Sequence, residues 1–351
     1  MRIARIVFAA SALAAVAVPA PAQAGSQRGK VPAPEKQQHK GTTYLSPVMK
    51  NRRIVGFKKS ATPTRGLFRK AREALRVTFG RKAPSAALPH TTLWIPGHTL
   101  GWRSLRPAMK HFLGNPTNGA VAAVYVAKEG RFRANRPSGR VLSDAEVRAT
   151  KLVTVQFSNP RAGQALKSGE IASAVRALKK ANGGTGRLPL KVVTHSAGDT
   201  HFRAALLDHI DPVRDGIKIT GVVAVGPVFA GTWTGNVGNS RLGGLLGMRQ
   251  AASELAEGSS YLARLDGARE EIDSKIEGDR VDIAYQGAPT LKLKRGPRIG
   301  PGDGFVQSRD TRRPGARTLV LRGIDPTPGN HLGQIMYSGT LKAVEEALTA
   351  P

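Results

Sequence analysis

The sequence predicts an α/β fold with a mostly parallel central sheet, helices on both faces and a cap or lid insertion. Three observations carry that expectation. Beyond Pro89, short apolar runs alternate with longer helical periodicities, and strands that are apolar along their whole length belong to parallel sheets covered on both faces. Residues 231–279 break the alternation, as an insertion over the strand ends does. The stretch KVVTHSAGD, Lys191 to Asp199, sets a serine between a β-branched strand-like run and an alanine-rich helical one.

In chain order, the first residues come before any of this. Arg2 and Arg5 precede an apolar run from Ile6 to Val18 and the small-residue pattern Ala22-Gln23-Ala24. The run is short of the ~20 apolar residues that a spanning helix requires, so residues 1–24 read as a cleaved signal peptide. The expected location is therefore secreted or periplasmic.

Residues 25–88 are polar, basic and punctuated by proline, and are expected to form a basic, partly flexible extension. Within it, Leu67, Phe68, Ala71, Leu75 and Val77 share most of one helical face, with Arg69, Lys70, Arg72 and Arg76 on the other. Such a helix can pack in the ordinary way or rest on an anionic surface.

Residues 89–351 form the expected catalytic domain. Its strand candidates are Thr91 to Pro96, Ala120 to Ala127, Lys151 to Phe157, Leu190 to His195, Lys218 to Gly226, Val281 to Gly287 and Arg317 to Gly323. Helix candidates lie between them at Trp102 to Leu113, Ala162 to Ala181, Ala197 to His209 and Leu332 to Thr349. With 351 residues and 40% hydrophobic content, the chain can bury a sizeable core.

Composition narrows the chemistry. No cysteine occurs, which excludes disulfides, thiolate metal sites and a cysteine nucleophile. The net charge is +30, from 54 Lys+Arg against 24 Asp+Glu, and loss of Arg2 and Arg5 with the signal leaves +28. That field attracts anionic membrane or envelope surfaces. With 5% aromatic residues and no zinc-finger or RNP-type motif, a dedicated nucleic-acid binder is not expected. The carboxylates of GAREEIDSKIEGD have no histidine partners and read as a solvated helix rather than a metal site.

A serine between a strand and a helix has two uses: it can cap the helix, or it can be a nucleophile held on a strained turn. Thr194-His195-Ser196-Ala197-Gly198 departs from G-x-S-x-G at its first position. A nucleophilic serine needs a base, and the base needs an orienting acid, in the chain order serine, acid, histidine. After Ser196 the histidines are His201, His209 and His331. The first two fall on the helix that follows the serine, so His331 is the candidate base. Asp303, in the glycine-rich turn GPGDGFV, is the candidate acid, and Asp325 is its rival in the loop that carries His331. Backbone N–H groups of Ala197 and of His98 or Thr99, the latter in LWIPGHTLGW, are candidates for an oxyanion hole.

In these blocks and their order, WIPGHTLGW, VVTHSAG, GDGFV and GNHLGQI, the chain resembles the lipase and esterase branch of the α/β-hydrolases. VAVGPVFAGTW and ASELAEGSSYLARLD are similar to segments flanking the cap of bacterial triacylglycerol lipases. The resemblance covers about Pro89 to the C-terminus, with Pro96 standing where a histidine is common. It implies an α/β-hydrolase fold and hydrolysis of a carboxylic ester, including lipid esters, through an acyl-enzyme, with Ser196, Asp303 and His331 as triad and no cofactor. Leu242, Leu245, Leu246 and Met248 would belong to a lid or a packed cap. Other uses of the same scaffold are an envelope acyltransferase, an amidase or peptidase, and a non-catalytic basic binding protein.

Overall fold

The computed structural model describes residues 42–50, 53–59, 85–98, 101–232, 249–286, 311, 313, 315–322, 334–336 and 338–350. The expected signal peptide, the helical face around Leu67 and the leucines of the insertion lie outside them.

All seven expected strands form. They are β3 (Thr91–Ile95), β4 (Ala123–Val126), β6 (Leu152–Gln156), β7 (Leu188–His195), β8 (Ile217–Val225), β9 (Asp279–Gln286) and β10 (Arg317–Arg322). Three more join them: β1 (Thr42–Lys50), β2 (Arg53–Lys59) and β5 (Arg131–Ala134). The ten strands make one sheet in the order β2-β1-β10-β9-β8-β7-β3-β6-β4-β5. Only the two edge pairs, β1 with β2 and β4 with β5, are antiparallel. The residues 25–88 thus contribute two strands, β1 lying parallel to β10 with Tyr44 opposite Val320.

The helices are α1 (Arg106–Phe112), α2 (Asp144–Ala149), α3 (Gln164–Asn182), α4 (Gly198–Asp208), α5 (Arg249–Glu254), α6 (Ser260–Gly267), α7 (Arg269–Ser274) and α8 (Ser338–Thr349). The expected helix from Trp102 divides into a 3-10 turn, Gly101–Ser104, and α1. Pro107 explains the break: lacking an N–H, it fits only the first turn of a helix. The insertion holds α5, α6 and α7.

Alternation along the central strands builds two apolar layers. Leu93, Ile95, Val153, Val155 and Val192 face Ile171, Val175 and Leu178 of α3 and Phe202 and Leu206 of α4. Trp94, Leu152, Val193, Val223 and Ile283 face Leu105 and Phe112 on one side of the chain and Val344 and Leu348 of α8 on the other. Each such side chain contributes roughly 1.5–3 kcal/mol on leaving water. Lys191 fastens α8 to β7 by donating from Nζ to the carbonyls of Leu348 at 2.8 Å and Ala350 at 3.0 Å, a cation placed at a helix C-terminus.

The connectivity reverses direction at β3. From β3 the chain runs to the far edge, returns as β6 on one side of β3, and then places β7 on the other side. In such sheets ligands bind beyond the strands' carboxyl ends where the chain departs in both directions. Here those ends are Ile95 and His195, side by side.

Candidate active site

Ser196 lies immediately beyond β7. Its N–H still donates to the carbonyl of Val225 at 2.9 Å, as though the ladder with β8 continued. Its own φ is 56°, and Asn135 is the other non-glycine residue with positive φ among the described residues. This left-handed geometry turns the chain at once into α4, whose N-cap is Ala197 and carries no side-chain cap. Ser196 therefore stands one residue outside the capping position. From Lys191 to Thr200 every residue is buried except Ser196. The fold lifts this one side chain out of a close-packed environment.

Two glycines admit the turn. A Cβ on Gly97 would lie 2.8 Å from the Cβ of Ser196 and 3.3 Å from its Oγ. One on Gly198 would lie 2.5 Å from the carbonyl oxygen of Ile95. Both distances are below what a real side chain tolerates or at its limit, so the loop after β3 touches the serine because residue 97 has no side chain. Thr194, where the sequence pattern has a glycine, is wholly buried inside β7, opposite Ile95 on one side and Ala224 on the other.

His98 follows directly after the Gly97 that abuts Ser196. Neither the N–H of His98 nor that of Ala197 donates a hydrogen bond among the described residues. The ring of His98 meets the Nζ of Lys167 at 2.9 Å through Nδ1. Burial, followed by the charges of Lys167 and Arg161, depresses the imidazole's pKa to about 3. Lys167, on the first turns of α3, is wholly buried, and burial lowers its pKa to about 8 against the opposing pull of Glu254 and Glu170. His201 of α4 is buried in the same region with its ring edge-on to Phe157, centroids 5.7 Å apart. Burial holds its pKa well below the usual value, with Lys167 and His98 adding to the effect.

A second buried polar group lies behind the turn. Asp199, in the first turn of α4, and Asp282, inside β9, both face Arg313, at 3.6 and 2.8 Å. All three are at most 5% exposed. Burial raises the Asp282 pKa to about 6 although the guanidinium opposes it. Arg313 thus ties the start of α4 to β9 and to the segment entering β10.

The insertion closes over the serine's neighbour. Ala197 packs with Val228 and with Leu255, which follows α5. Thr232 donates its N–H to the Leu255 carbonyl at 3.0 Å, and Thr200 donates from Oγ1 to the Val228 carbonyl at 3.1 Å.

Of the residues that the sequence singled out, Ser196, Ala197 and His98 lie within the described residues, and His98 follows the Gly97 that abuts Ser196. Thr99, Asp303, Asp325 and His331 lie outside the described residues. Sequence reasoning did not find Lys167, Asp199, Asp282 or Arg313, because burial of a charged residue leaves no local pattern. The described residues contain no group of three or more histidines and carboxylates able to hold a metal, and no helix long and apolar enough to cross a membrane.

No protein-family model matches the sequence, and no curated protein does. Among solved structures, a gene product of Listeria innocua superposes with a TM-score of 0.51 at 14% identity, covering 75% of this chain and 94% of that one. The mature lipase BlEst2 of Bacillus licheniformis matches at 0.48 and 15% identity over 77% of this chain and 95% of that one. A metagenomic carboxyl esterase, MGS0156, matches at 0.45 and 16% identity over 77% and 78%. At these identities the likeness is one of fold.

Proposed function

We propose that this chain, which has the α/β-hydrolase fold, is an exported serine hydrolase that cleaves carboxylic esters, lipid esters among them, through an acyl-enzyme. The observation that carries the reading is Ser196 at φ 56° beyond β7, the one side chain of its stretch that is not buried, with Gly97 against it. A left-handed non-glycine residue between a strand and a helix is costly, and a chain keeps such strain where the side chain has work to do.

In this reading the hydroxyl of Ser196 attacks the ester carbonyl, forming a bond from Oγ to carbon. His331 takes the hydroxyl proton and returns it to the departing alcohol, and Asp303 orients the imidazole. The negative charge on the carbonyl oxygen is met by the N–H groups of Ala197 and of His98 or Thr99. Water then attacks the acyl-enzyme with His331 again as base, releasing the acid and restoring Ser196. Residues 1–24 direct export, and the +30 charge brings the enzyme to anionic lipid.

The test is turnover of a p-nitrophenyl ester series, from short to long acyl chains, by the mature chain and by Ser196→Ala. The expected result is activity in the first and a loss of at least ~10³-fold in the second. Equal rates across the series would refute the ester hydrolase. The chain-length profile distinguishes an esterase from a lipase.

A further inference from the structure

Lys167 is an uneconomical residue. Its ammonium is wholly buried, yet among the described residues no carboxylate forms an ion pair with it. Its close polar partner is the Nδ1 of His98 at 2.9 Å, and the ring of Phe157 lies 5.8 Å from Nζ to its centroid. The other charged or titratable groups around it are Arg161, Glu170 of its own helix, Glu254 of α5 and His201 of α4. An ammonium has three donors and no acceptor, so the imidazole nitrogen facing it must be the acceptor. That fixes His98 as the Nε2–H tautomer and fixes the plane of its ring. The ring is joined to the peptide that follows Gly97, which lies so close to Ser196 that a Cβ on it would stand 2.8 Å from the serine's Cβ.

We propose that Lys167 is a positioning residue: its bond to the His98 ring holds that residue so that the His98 backbone N–H serves the carbonyl under attack by Ser196. This rests on the hydrolase reading above. Lys167 touches no reacting atom; it acts through His98. An oxyanion hole is effective only when its donors need no rearrangement as charge develops, and the His98 ring is held by the Lys167 ammonium. The low pKa of Lys167, about 8, adds a consequence. As the ammonium loses its proton, the obligatory acceptor role of His98 Nδ1 ends, the other tautomer becomes allowed, and turnover should fall on the alkaline side.

The experiment joins kinetics with imidazole 15N spectroscopy on the mature full chain, using Lys167→Met, Lys167→Gln and Lys167→Arg beside Ser196→Ala. Lys167→Met should lower kcat roughly 10- to 100-fold with KM changed by less than about threefold, since the lost geometry matters in the transition state. Lys167→Gln, neutral but still a donor, should recover part of kcat and lack the alkaline fall near pH 8. Lys167→Arg should recover part of kcat and move that fall upward. The His98 spectrum should show Nε2–H alone in the parent and a mixture of tautomers in Lys167→Met. If Lys167→Met does not fold, the Gln and Arg variants carry the test through their pH profiles. Ser196-dependent turnover that keeps its kcat and its pH profile in the variants, or an unchanged His98 tautomer in Lys167→Met, overturns the positioning role alone. Equal turnover by the parent and Ser196→Ala overturns the hydrolase reading instead.

Discussion

A threonine precedes the turn where the usual pattern has glycine, and the reason that it is tolerated lies in where the chain comes closest to itself. Thr194 is still extended in β7, and the short side chain of Ala224 lies opposite. The tight approaches fall on Gly97 and Gly198, each with a carbonyl oxygen or a side chain where a Cβ would stand. Gly198 was legible as part of the serine's pentapeptide, and Gly97, within LWIPGHTLGW, as a residue that lets the backbone approach closely. His98 was legible as a backbone-donor candidate and His201 as a member of the helix after the serine, but neither as a neutral, buried group, because neutrality comes from packing by α3 and α4. That state sets a pH dependence. His98 is depressed to about 3 and His201 well below 6.5, so below pH ~6.5 the unfolded chain binds protons that the folded chain refuses. Stability is then fully present above pH ~6.5 and falls as the pH drops, by up to ~2.7 kcal/mol per pH unit for two such groups. Proton NMR of the ring Cε1–H signals should find no titration midpoint near 6.5 for either residue. A midpoint there would show that the rings are solvated and remove this source of acid lability.

At the scale of elements, periodicity located seven of the eight described strands beyond Pro89 and missed β5, whose apolar signal is weak. β5 reads RFRA, with its arginines turned outward or to Glu129 and only alternate positions buried. α2 is one and a half turns, held by a reciprocal cap between Ser143 and Glu146, a four-residue signature that was present in the sequence. β1 and β2 come from a basic, proline-containing stretch and owe their existence to β10, whose open edge they complete. What sequence could not display is the bond between elements. Asp199, Asp282 and Arg313 are far apart in the chain and meet only in the fold. Replacing Arg313 by methionine would leave two buried carboxylates facing each other, at an expected loss of ~3–5 kcal/mol at pH 8. With its pKa raised to about 6, Asp282 becomes neutral below that pH, so the loss should shrink at pH 5. Urea denaturation at both pH values decides it: a loss below ~1 kcal/mol at pH 8 would mean that water, not Arg313, keeps these carboxylates charged.

For the whole molecule, the dominant physical fact is the charge of +30 on 351 residues. With 54 basic residues against 24 acidic ones, one-to-one pairing would leave 30 basic residues unmatched, and exposed pairs such as Arg264 with Asp208 and Arg133 with Glu129 stabilise the fold by only ~0.2–1 kcal/mol each. Ion pairing therefore does not account for so large an excess, and the proposed attraction to a polyanionic surface is a use of it that can be tested. If the substrate is presented at such a surface, binding and turnover must respond to salt differently. Sedimentation with vesicles of phosphatidylcholine should leave the protein in solution, while vesicles with a third of their lipid anionic should carry it down at low salt and release it near 0.5 M, where screening acts within ~4 Å. Hydrolysis of a dissolved short-chain ester should change little over the same range, because Ser196 is set in place by packing around the ends of β3 and β7. The region before β3 gives a further handle: removing residues 25–41 preserves β1 and β2, whereas removing 25–84 deletes both strands and opens the edge of β10. The shorter deletion should weaken vesicle binding with soluble turnover intact, and the longer one should cost both. Salt-independent binding to anionic vesicles would instead locate the attraction in apolar insertion rather than in charge.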